Sequence, residues 1–336
     1  MKQTKTNQML SLLIILFPFV SALLCLGVGR YHLDPLETLQ ILFSPLTGRE
    51  IEATAYSVIF NVRLPRILLA LFVGAGLSVS GASFQSLFSN PLATPDTLGV
   101  ATGASFGAVL ALLCAQNLLV TQLSALVMGM VALLGTCAIS RLNGKSSIIM
   151  VVLGGMVVSA LFQAMVSLVK YVADPEEDLP TITYWLMGSM SKSSLRGILL
   201  GVPLIAVGIF ILFLLRWRLN ILSLQEDETK SLGINVKQLR LFVMIAATMV
   251  TASCVSMCGQ VGWVGLLIPH AARMLYGSDN KQIIPVCIGL GSAFMVIIDT
   301  AARAATAAEI PVSILTALIG APFFIMLLRK TGGAKL

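Results

Sequence analysis

Ten long apolar stretches, separated by short polar segments, follow one another along the chain. An α-helix rises about 1.5 Å per residue, so about 20 apolar residues cross a hydrocarbon layer of roughly 30 Å. The pattern therefore predicts an all-α membrane protein with about ten transmembrane helices in a single polytopic domain, residues 1–336. The predicted spans are 9–29, 65–87, 98–116, 119–140, 147–169, 197–215, 241–259, 262–276, 283–302 and 311–328.

The eighth predicted span, 262–276, is shorter than the others and contains Pro269. Proline lacks the backbone N–H that continues a helical hydrogen-bond ladder. A broken backbone is tolerated at membrane depth only where it is buried in protein or lines a cavity. We therefore expect this span to be broken or partly re-entrant within a bundle.

Composition supports a membrane protein and excludes other classes. Apolar residues make up 57% of the chain and charged residues 11%, whereas soluble proteins carry about 25% charged residues. The net charge of +7 comes from basic residues scattered singly, so nucleic acid is not an expected partner. The six cysteines all lie in apolar runs, where cysteine packs as a small hydrophobe, and we expect no metal site.

Charge placement predicts the orientation and the outer loops. Most of the 22 Lys and Arg residues fall on the cytoplasmic side if the chain begins inside, which favours an N-in, C-in topology. The acidic run 174–178 predicts a solvated outer loop, and 184–190 predicts a short amphipathic helix at the outer interface. Gly99, Gly103 and Gly107 repeat every four residues, which indicates close helix packing.

The spans contain few groups that could couple transport to an ion gradient. Asp299 is the one acid deep in an apolar run, and Arg303 lies one helical turn later, so mutual neutralisation is favoured over a proton relay. Gly144-Lys145-Ser146 lacks the earlier glycine of a phosphate-binding loop. No catalytic constellation appears. Energy must therefore come from another protein, unless the chain is a channel.

Four groups of short motifs are distributed in order along the chain. The first comprises RLPR at 63–66, GAGL at 74–77, SG at 80–81, Gln85, NPLATP at 90–95 and LG at 98–99. The second is WLMGS at 185–189, and the third is LNILSL at 219–224 with SLG at 231–233. The fourth comprises GQVGWVGL at 259–266, PH at 269–270, Arg273, Asp299, Arg303, EIP at 309–311 and GAPFF at 320–324.

In this order the motifs closely resemble the permease family of ABC importers for iron–siderophore complexes, haem and cobalamin, over about residues 55–330. The resemblance implies the type II ABC importer permease architecture in the cytoplasmic membrane. It also implies a second permease subunit (identical or different), two cytoplasmic ATPase subunits and an extracytoplasmic substrate-binding protein. The chain itself is then not an enzyme and binds no cofactor directly, because ATP is used by the partner subunit.

The resemblance also assigns a role to the polar cytoplasmic loop 216–240. In the family this loop forms coupling helices that dock on the ATPase, and Gly233 suits a helix C-cap. The expected coupling residues are Ser223, Leu224, Glu226, Asp227, Glu228, Ser231, Leu232 and Gly233.

Three arginines are expected at the outer face. By the resemblance, Arg63, Arg66 and Arg303 form pockets for glutamates of the binding protein, and the alternative is arginines that snorkel at helix ends. The remaining candidates are structural or hinge residues. Pro269 and His270 fit a hinge or a satisfied interfacial histidine equally, whereas Asn90, Pro91 and Pro95 are expected to fix a turn.

The sequence therefore predicts a permease that translocates an iron chelate, with a siderophore as the first choice. Haem and cobalamin are alternative substrates of the same machinery. An ATP-independent channel or secondary carrier is the rival from another class, and a membrane-embedded enzyme is a further rival. The path is expected along the second, third, fifth and eighth helices at a dimer axis.

Overall fold

The computed structural model describes residues 2–114, 117–142, 145–146, 148–223 and 235–331. Helices dominate these ranges. Two strands of two residues each, β1 (Arg141–Leu142) and β2 (Lys145–Ser146), pair with each other in antiparallel orientation. The helices are α1 (Lys2–Gly27), α2 (Pro35–Thr47), α3 (Ala53–Ser57), a π-helix (Val58–Arg63), α4 (Leu64–Leu87), α5 (Val100–Cys114), α6 (Leu118–Ser140), α7 (Ile148–Val172), α8 (Asp178–Leu186), α9 (Leu195–Leu219), a 3-10 turn (Ile221–Ser223), α10 (Val236–Cys258), α11 (Val264–Tyr276), α12 (Asn280–Ala305) and α13 (Val312–Thr331).

The helices confirm an all-α membrane protein with about ten spans. Among the described residues, six segments are long and apolar enough to cross a bilayer: Ala53–Leu87, Leu118–Ser140, Ile149–Val172, Leu195–Leu219, Val236–Cys258 and Asn280–Ala305. The shorter apolar helices Leu12–Gly27, Val100–Cys114 and Val312–Met326 coincide with three more predicted spans. The 13-residue α11 takes the place of the eighth.

The eighth span is short, as predicted, but the predicted position of its break is wrong. Helix α11 continues through Pro269, and the interruption is the non-helical segment 259–263 that precedes it. Gly259 and Trp263 adopt φ angles of 74° and 71° there. A left-handed conformation is costly for tryptophan, and the Trp263 ring packs so closely on Gly320 that a Cβ there would lie 2.8 Å from it. This packing holds the strained residue in place.

Helix α4 is the centre of the bundle. It contacts α9, α10, α11 and α12, and most of its residues are buried within this one chain. Glycines permit the closest approaches: a Cβ at Gly74 would lie 2.1 Å from the carbonyl oxygen of Gly291, and one at Gly81 would lie 1.9 Å from that of Gly265. Most of this helix is therefore enclosed by its own chain, and the expectation that the second span lines a path between two subunits stays a prediction.

The glycine repeat packs helices as predicted. A Cβ at Gly107 would lie 2.2 Å from the carbonyl oxygen of Ser124 on α6, and one at Gly103 would lie 2.7 Å from that of Met128. Gly99 precedes the helix at φ 78° and faces Val158 of α7. Two of the three glycines therefore join α5 to α6, and the third allows the chain to enter α5.

The outer segment between α7 and α9 differs from its predicted boundaries. Helix α8 begins at Asp178 and ends at Leu186, whereas the amphipathic helix was expected over 184–190, so it starts six residues earlier and ends four residues earlier. The acidic run is solvated, as predicted. The Asp174 carboxylate accepts the backbone N–H groups of Glu177 and Glu176 at 3.0 and 2.8 Å, and these bonds hold its pKa below the ordinary value.

The segment after α8 ties three elements together. The backbone N–H of Ser189 donates to the carbonyl of Cys258 at the end of α10 (2.8 Å), and the N–H of Val312 at the start of α13 donates to the carbonyl of Gly188 (3.0 Å). The WLMGS motif thus connects the end of α10 to the start of α13 at the outer side.

Candidate functional site

The first candidate site is an ionic cluster at the outer end of α4 and α12. Arg66 lies in the first turn of α4, and its Nε donates to both oxygens of Asp299 on α12, at 2.9 and 2.7 Å. Its Nη1 donates to both oxygens of Glu309 in the following loop, at 3.0 and 2.9 Å. One guanidinium therefore binds two carboxylates, each through a single nitrogen that lies between its two oxygens, and such charge-assisted hydrogen bonds are stronger than neutral ones.

The three charges of this cluster differ in exposure. Arg66 is 3% exposed and Asp299 is 1% exposed, whereas the Glu309 side chain is 30% exposed. Desolvation of a buried ion costs several kcal/mol, and only a partner with good geometry offsets that cost. The Arg66–Asp299 pair is therefore the buried part of the cluster, and Glu309 is its solvent-facing part.

The other two arginines bind the end of α1. Arg63 Nη1 donates to the carbonyls of Leu26 and Gly27 at 2.6 and 3.0 Å, and its Nη2 donates to that of Tyr31. Arg303 Nη2 donates to the carbonyl of Cys25 at 2.5 Å. The last carbonyls of a helix lack intrahelical partners and carry partial negative charge. The two guanidinium groups therefore act as a C-terminal cap of α1.

Local backbone features bring these arginines together. A π-helical turn, Val58–Arg63, lies directly before α4, and such turns change the rotation of the residues that follow. Gly29 gives room on the other side, because a Cβ there would lie 2.7 Å from Arg63 Nη2 and 2.9 Å from Arg303 Nη1. Only glycine fits between the two cations.

Two expectations about this cluster require correction. Asp299 is paired with Arg66 of a distant helix, whereas the spacing predicted neutralisation by Arg303. The three arginines also do not present their side chains at the surface: Arg63 is 2% and Arg303 is 8% exposed, because backbone carbonyls and carboxylates enclose them. Their docking role stays a prediction. The importance of Glu309 was missed, although EIP at 309–311 marked its position.

The second candidate site lies around Pro269, on the opposite side of the bundle. Pro269 has no N–H to donate to the carbonyl of Gly265 one turn earlier. Gln85 Nε2 of α4 donates to that carbonyl at 3.3 Å, and Gln85 Oε1 accepts from Arg273 Nη1, one turn after Pro269. The Gln85 amide thus bridges the position where the helical ladder is interrupted. His270 is partly exposed, and its hinge role stays a prediction.

The turn that contains Asn90, Pro91 and Pro95 connects α4 to α5 at the same end of the bundle. Asn90 Oδ1 accepts the N–H of Leu92 at 2.9 Å, and the carbonyl of Pro95 accepts the N–H of Val100 at 3.0 Å. These contacts agree with a structural role, since they close the turn and start the next helix.

The predicted coupling residues fall largely outside the described ranges. Ser223 ends the 3-10 turn after α9, whereas Leu224, Glu226, Asp227, Glu228, Ser231, Leu232 and Gly233 lie in 224–234, outside the described residues. The flanking helices α9 and α10 contact each other. The loop therefore starts and ends on two adjacent helices, and its ATPase-coupling role stays a prediction.

Comparison with known proteins adds a family to this geometry. The profile of the FecCD transport family matches residues 13–330. The molybdate import system permease protein MolB of Haemophilus influenzae is 42% identical over 93% of this chain and 92% of its own length. A probable iron chelatin transport system permease protein of Helicobacter pylori is 37% identical over 82% of this chain and 83% of its own length.

A solved structure has the same architecture. It is described as an inward-facing conformation of an ABC transporter of the metal-chelate type, and it superposes with a TM-score of 0.85 at 40% sequence identity. The match covers 96% of this chain and 99% of that chain. The two relatives and this structure differ in the solutes that they are named for.

The Gln85 bridge predicts a measurable coupling with Pro269. Gln85→Leu should destabilise the protein by about 1–3 kcal/mol, because a buried carbonyl and a guanidinium lose their partner. In a Pro269→Ala background the new N–H can donate to Gly265, so Gln85→Leu should lower the melting temperature less. Thermal unfolding of the four purified proteins measures this difference. Ser83→Ala is the control, since the Ser83 hydroxyl donates to the Val79 carbonyl within α4 itself; equal losses in both backgrounds would contradict the bridge.

Proposed function

Because the chain belongs to the FecCD transport family, we propose that it forms the membrane path of an ATP-driven importer for a metal-containing solute. The chain is an ABC importer permease and a multi-pass protein of the cytoplasmic membrane, and the permease subunits of this family are not themselves enzymes. The observation that carries the proposal is that the match extends over almost the entire chain, both in sequence and in fold.

The proposed importer contains a second permease subunit, two cytoplasmic ATPase subunits and an extracytoplasmic binding protein. The loop between α9 and α10 is the proposed contact with an ATPase, because it connects two helices that contact each other and a displacement there would act on both. Helix α9 also contacts the central α4. ATP binding and hydrolysis below would thus reach the middle of the bundle through rigid helices, which is the physical requirement for coupling.

For the solute we propose an iron chelate, and first a siderophore complex. Spans with few buried charges suit a bulky chelate whose own charges are largely satisfied by its metal. The relative from Helicobacter pylori, named for iron chelatin, supports this choice. Molybdate is the second candidate, favoured by the 42% identity to the permease named for it.

Reconstituted transport distinguishes these solutes. The permease, its ATPases and its binding protein would be placed in vesicles that contain ATP, and uptake of labelled ferric siderophore and labelled molybdate would be compared. We expect accumulation of the ferric complex that stops when the ATPase is made hydrolysis-deficient. Accumulation of molybdate alone would overturn the chelate proposal and keep the permease. Equal uptake without ATP hydrolysis would overturn the ATP-driven importer.

We further propose that the outer arginine cluster receives the binding protein, with Glu309 as an internal competitor. Carboxylates of a docking protein and the Glu309 carboxylate would seek the same Arg66 guanidinium, and Glu309 is the more exposed of its two partners. The cluster brings three arginines together with two carboxylates, so one positive charge is in excess. Docking would therefore exchange one carboxylate for another, without leaving Arg66 unpaired at any stage.

This exchange predicts tighter docking when Glu309 is neutralised. Glu309→Gln should increase binding-protein affinity about two- to fivefold at low salt, because a partly exposed ion pair contributes up to about 1 kcal/mol, and the gain should shrink as salt is added. Glu52→Gln is the matched control: Glu52 interacts with Tyr31 on the same side and has no ion pair with Arg66. Affinities measured in nanodiscs test this. An unchanged affinity, or an equal gain in both variants, would contradict the exchange.

A further inference from the structure

An apolar groove of about 610 Å³ opens between α1, α4, α9 and α12. Its walls include Phe19, Phe72, Phe210, Phe213 and Ile288. All four helices that form it belong to the predicted spans, so the groove lies at the depth of the hydrocarbon layer. An apolar, aromatic-lined cleft at this depth fits a hydrocarbon chain, because polar solutes would lose their hydration without gaining partners there.

Two cations continue the groove lining at one end. Phe213 lines the groove on α9, and Arg216 follows three residues later. Pro285 lines it on α12, and Lys281 precedes it by four residues. Residues three or four apart share a helix face, so both side chains start from the lining faces, one turn nearer the end of the bundle. By the N-in orientation, this is the cytoplasmic end.

Contacts place these two cations at the rim. The Arg216 guanidinium carbon lies 3.9 Å from the centre of the Phe213 ring, a residue of the groove wall. The Lys281 ammonium lies 4.4 Å from the centre of the Trp217 ring, and Trp217 is exposed. Tryptophan with Lys or Arg at a span end is typical of the membrane–water interface. The rim therefore sits where a phospholipid headgroup would lie.

The two cations at this rim are available to bind an anion. Arg216 Nη1 donates to the carbonyl of Phe213 at 2.7 Å, whereas its Nε is buried without a hydrogen-bond partner in the part of the chain that the structure describes. Neither cation forms a salt bridge with another described residue. The nearby Asp279 carboxylate accepts Asn220 Nδ2 at 2.7 Å and the Lys281 backbone N–H at 2.9 Å.

On α9, the distance from the cationic rim to the far end of the groove lining matches one leaflet. From Arg216 to Ala206, which lines the far part on α9, ten residues correspond to about 15 Å of helix. Half of a hydrocarbon layer of roughly 30 Å has the same thickness. An acyl chain that starts at the cationic rim would therefore extend along the groove to the middle of the membrane.

We propose that this groove is a binding site for an anionic phospholipid of the inner leaflet. One acyl chain lies among the aromatic side chains, and the headgroup phosphate is held by Arg216 and Lys281. Basic pockets between spans on the cytoplasmic side recognise anionic headgroups by this combination of charge and depth. The lipid would fill the space between α1 and α9 and support the helix that leads to the coupling loop.

Native mass spectrometry of the full-length permease tests the proposal. The protein would be extracted from vesicles of equal phosphatidylglycerol and phosphatidylcholine, and the ratio of retained lipids measured. We expect a preference for phosphatidylglycerol that falls about fivefold for each cation removed, in Arg216→Gln and in Lys281→Gln. Ala206→Phe, which fills the groove, should lower the number of retained lipids of both kinds.

The matched control is Arg218→Gln, because Arg218 is an exposed cation two residues from Arg216 and therefore on another face of α9. It should leave the lipid ratio unchanged. Equal retention of both lipids by the unmodified protein would overturn the proposal. So would a loss of preference in Arg218→Gln equal to that in Arg216→Gln, or a change of oligomeric mass instead of lipid content in Ala206→Phe, which would mark the groove as a subunit contact.

Discussion

The ion pair between Arg66 and Asp299 is the contact on which the outer half of the bundle depends. In a medium that cannot solvate charge, each buried ion requires a partner within the protein. Arg66 meets that requirement by joining α4 to α12 and, through Glu309, to the loop that leads into α13. The same requirement explains why Arg63 and Arg303 bind the last carbonyls of α1.

The opposite end of the bundle follows the same rule with neutral groups. Because Pro269 has no N–H, the Gly265 carbonyl lacks its helical donor, and Gln85 of the central helix donates to it instead. Helix α4 therefore provides a polar side chain at each end, Arg66 outside and Gln85 inside, while close glycine contacts hold its middle. Such a rigid centre suits a transport subunit that is driven by another protein. Movement supplied at the α9–α10 loop must cross the membrane through rigid helices, because adjustments of side chains would absorb it.

The sequence is sufficient to predict the membrane-spanning helices, but it does not predict which side chains of different helices pair with each other. Apolar length predicts the helices because the bilayer fixes the length of a span, and the glycine repeat predicts the contact between α5 and α6. Asp299 illustrates the limit: local spacing favoured Arg303, whereas the true partner is 233 positions away, and tertiary packing alone decides between them. The predicted break at Pro269 is wrong for a similar reason: Gln85, which is distant in sequence, supplies the hydrogen-bond donor that proline lacks. The exposure of the arginines was likewise invisible, since α1 carbonyls enclose them.

The double-mutant cycle between Arg66 and Asp299 is the most direct measurement of this account. Asp299→Leu and Arg66→Met would each leave a charge without its buried partner, and each should destabilise the purified permease by about 3–5 kcal/mol. The combination Arg66→Met with Asp299→Leu, which removes both charges, should recover most of that loss in thermal unfolding. Losses that simply add in the double variant would contradict the claim that this pair holds α4 to α12.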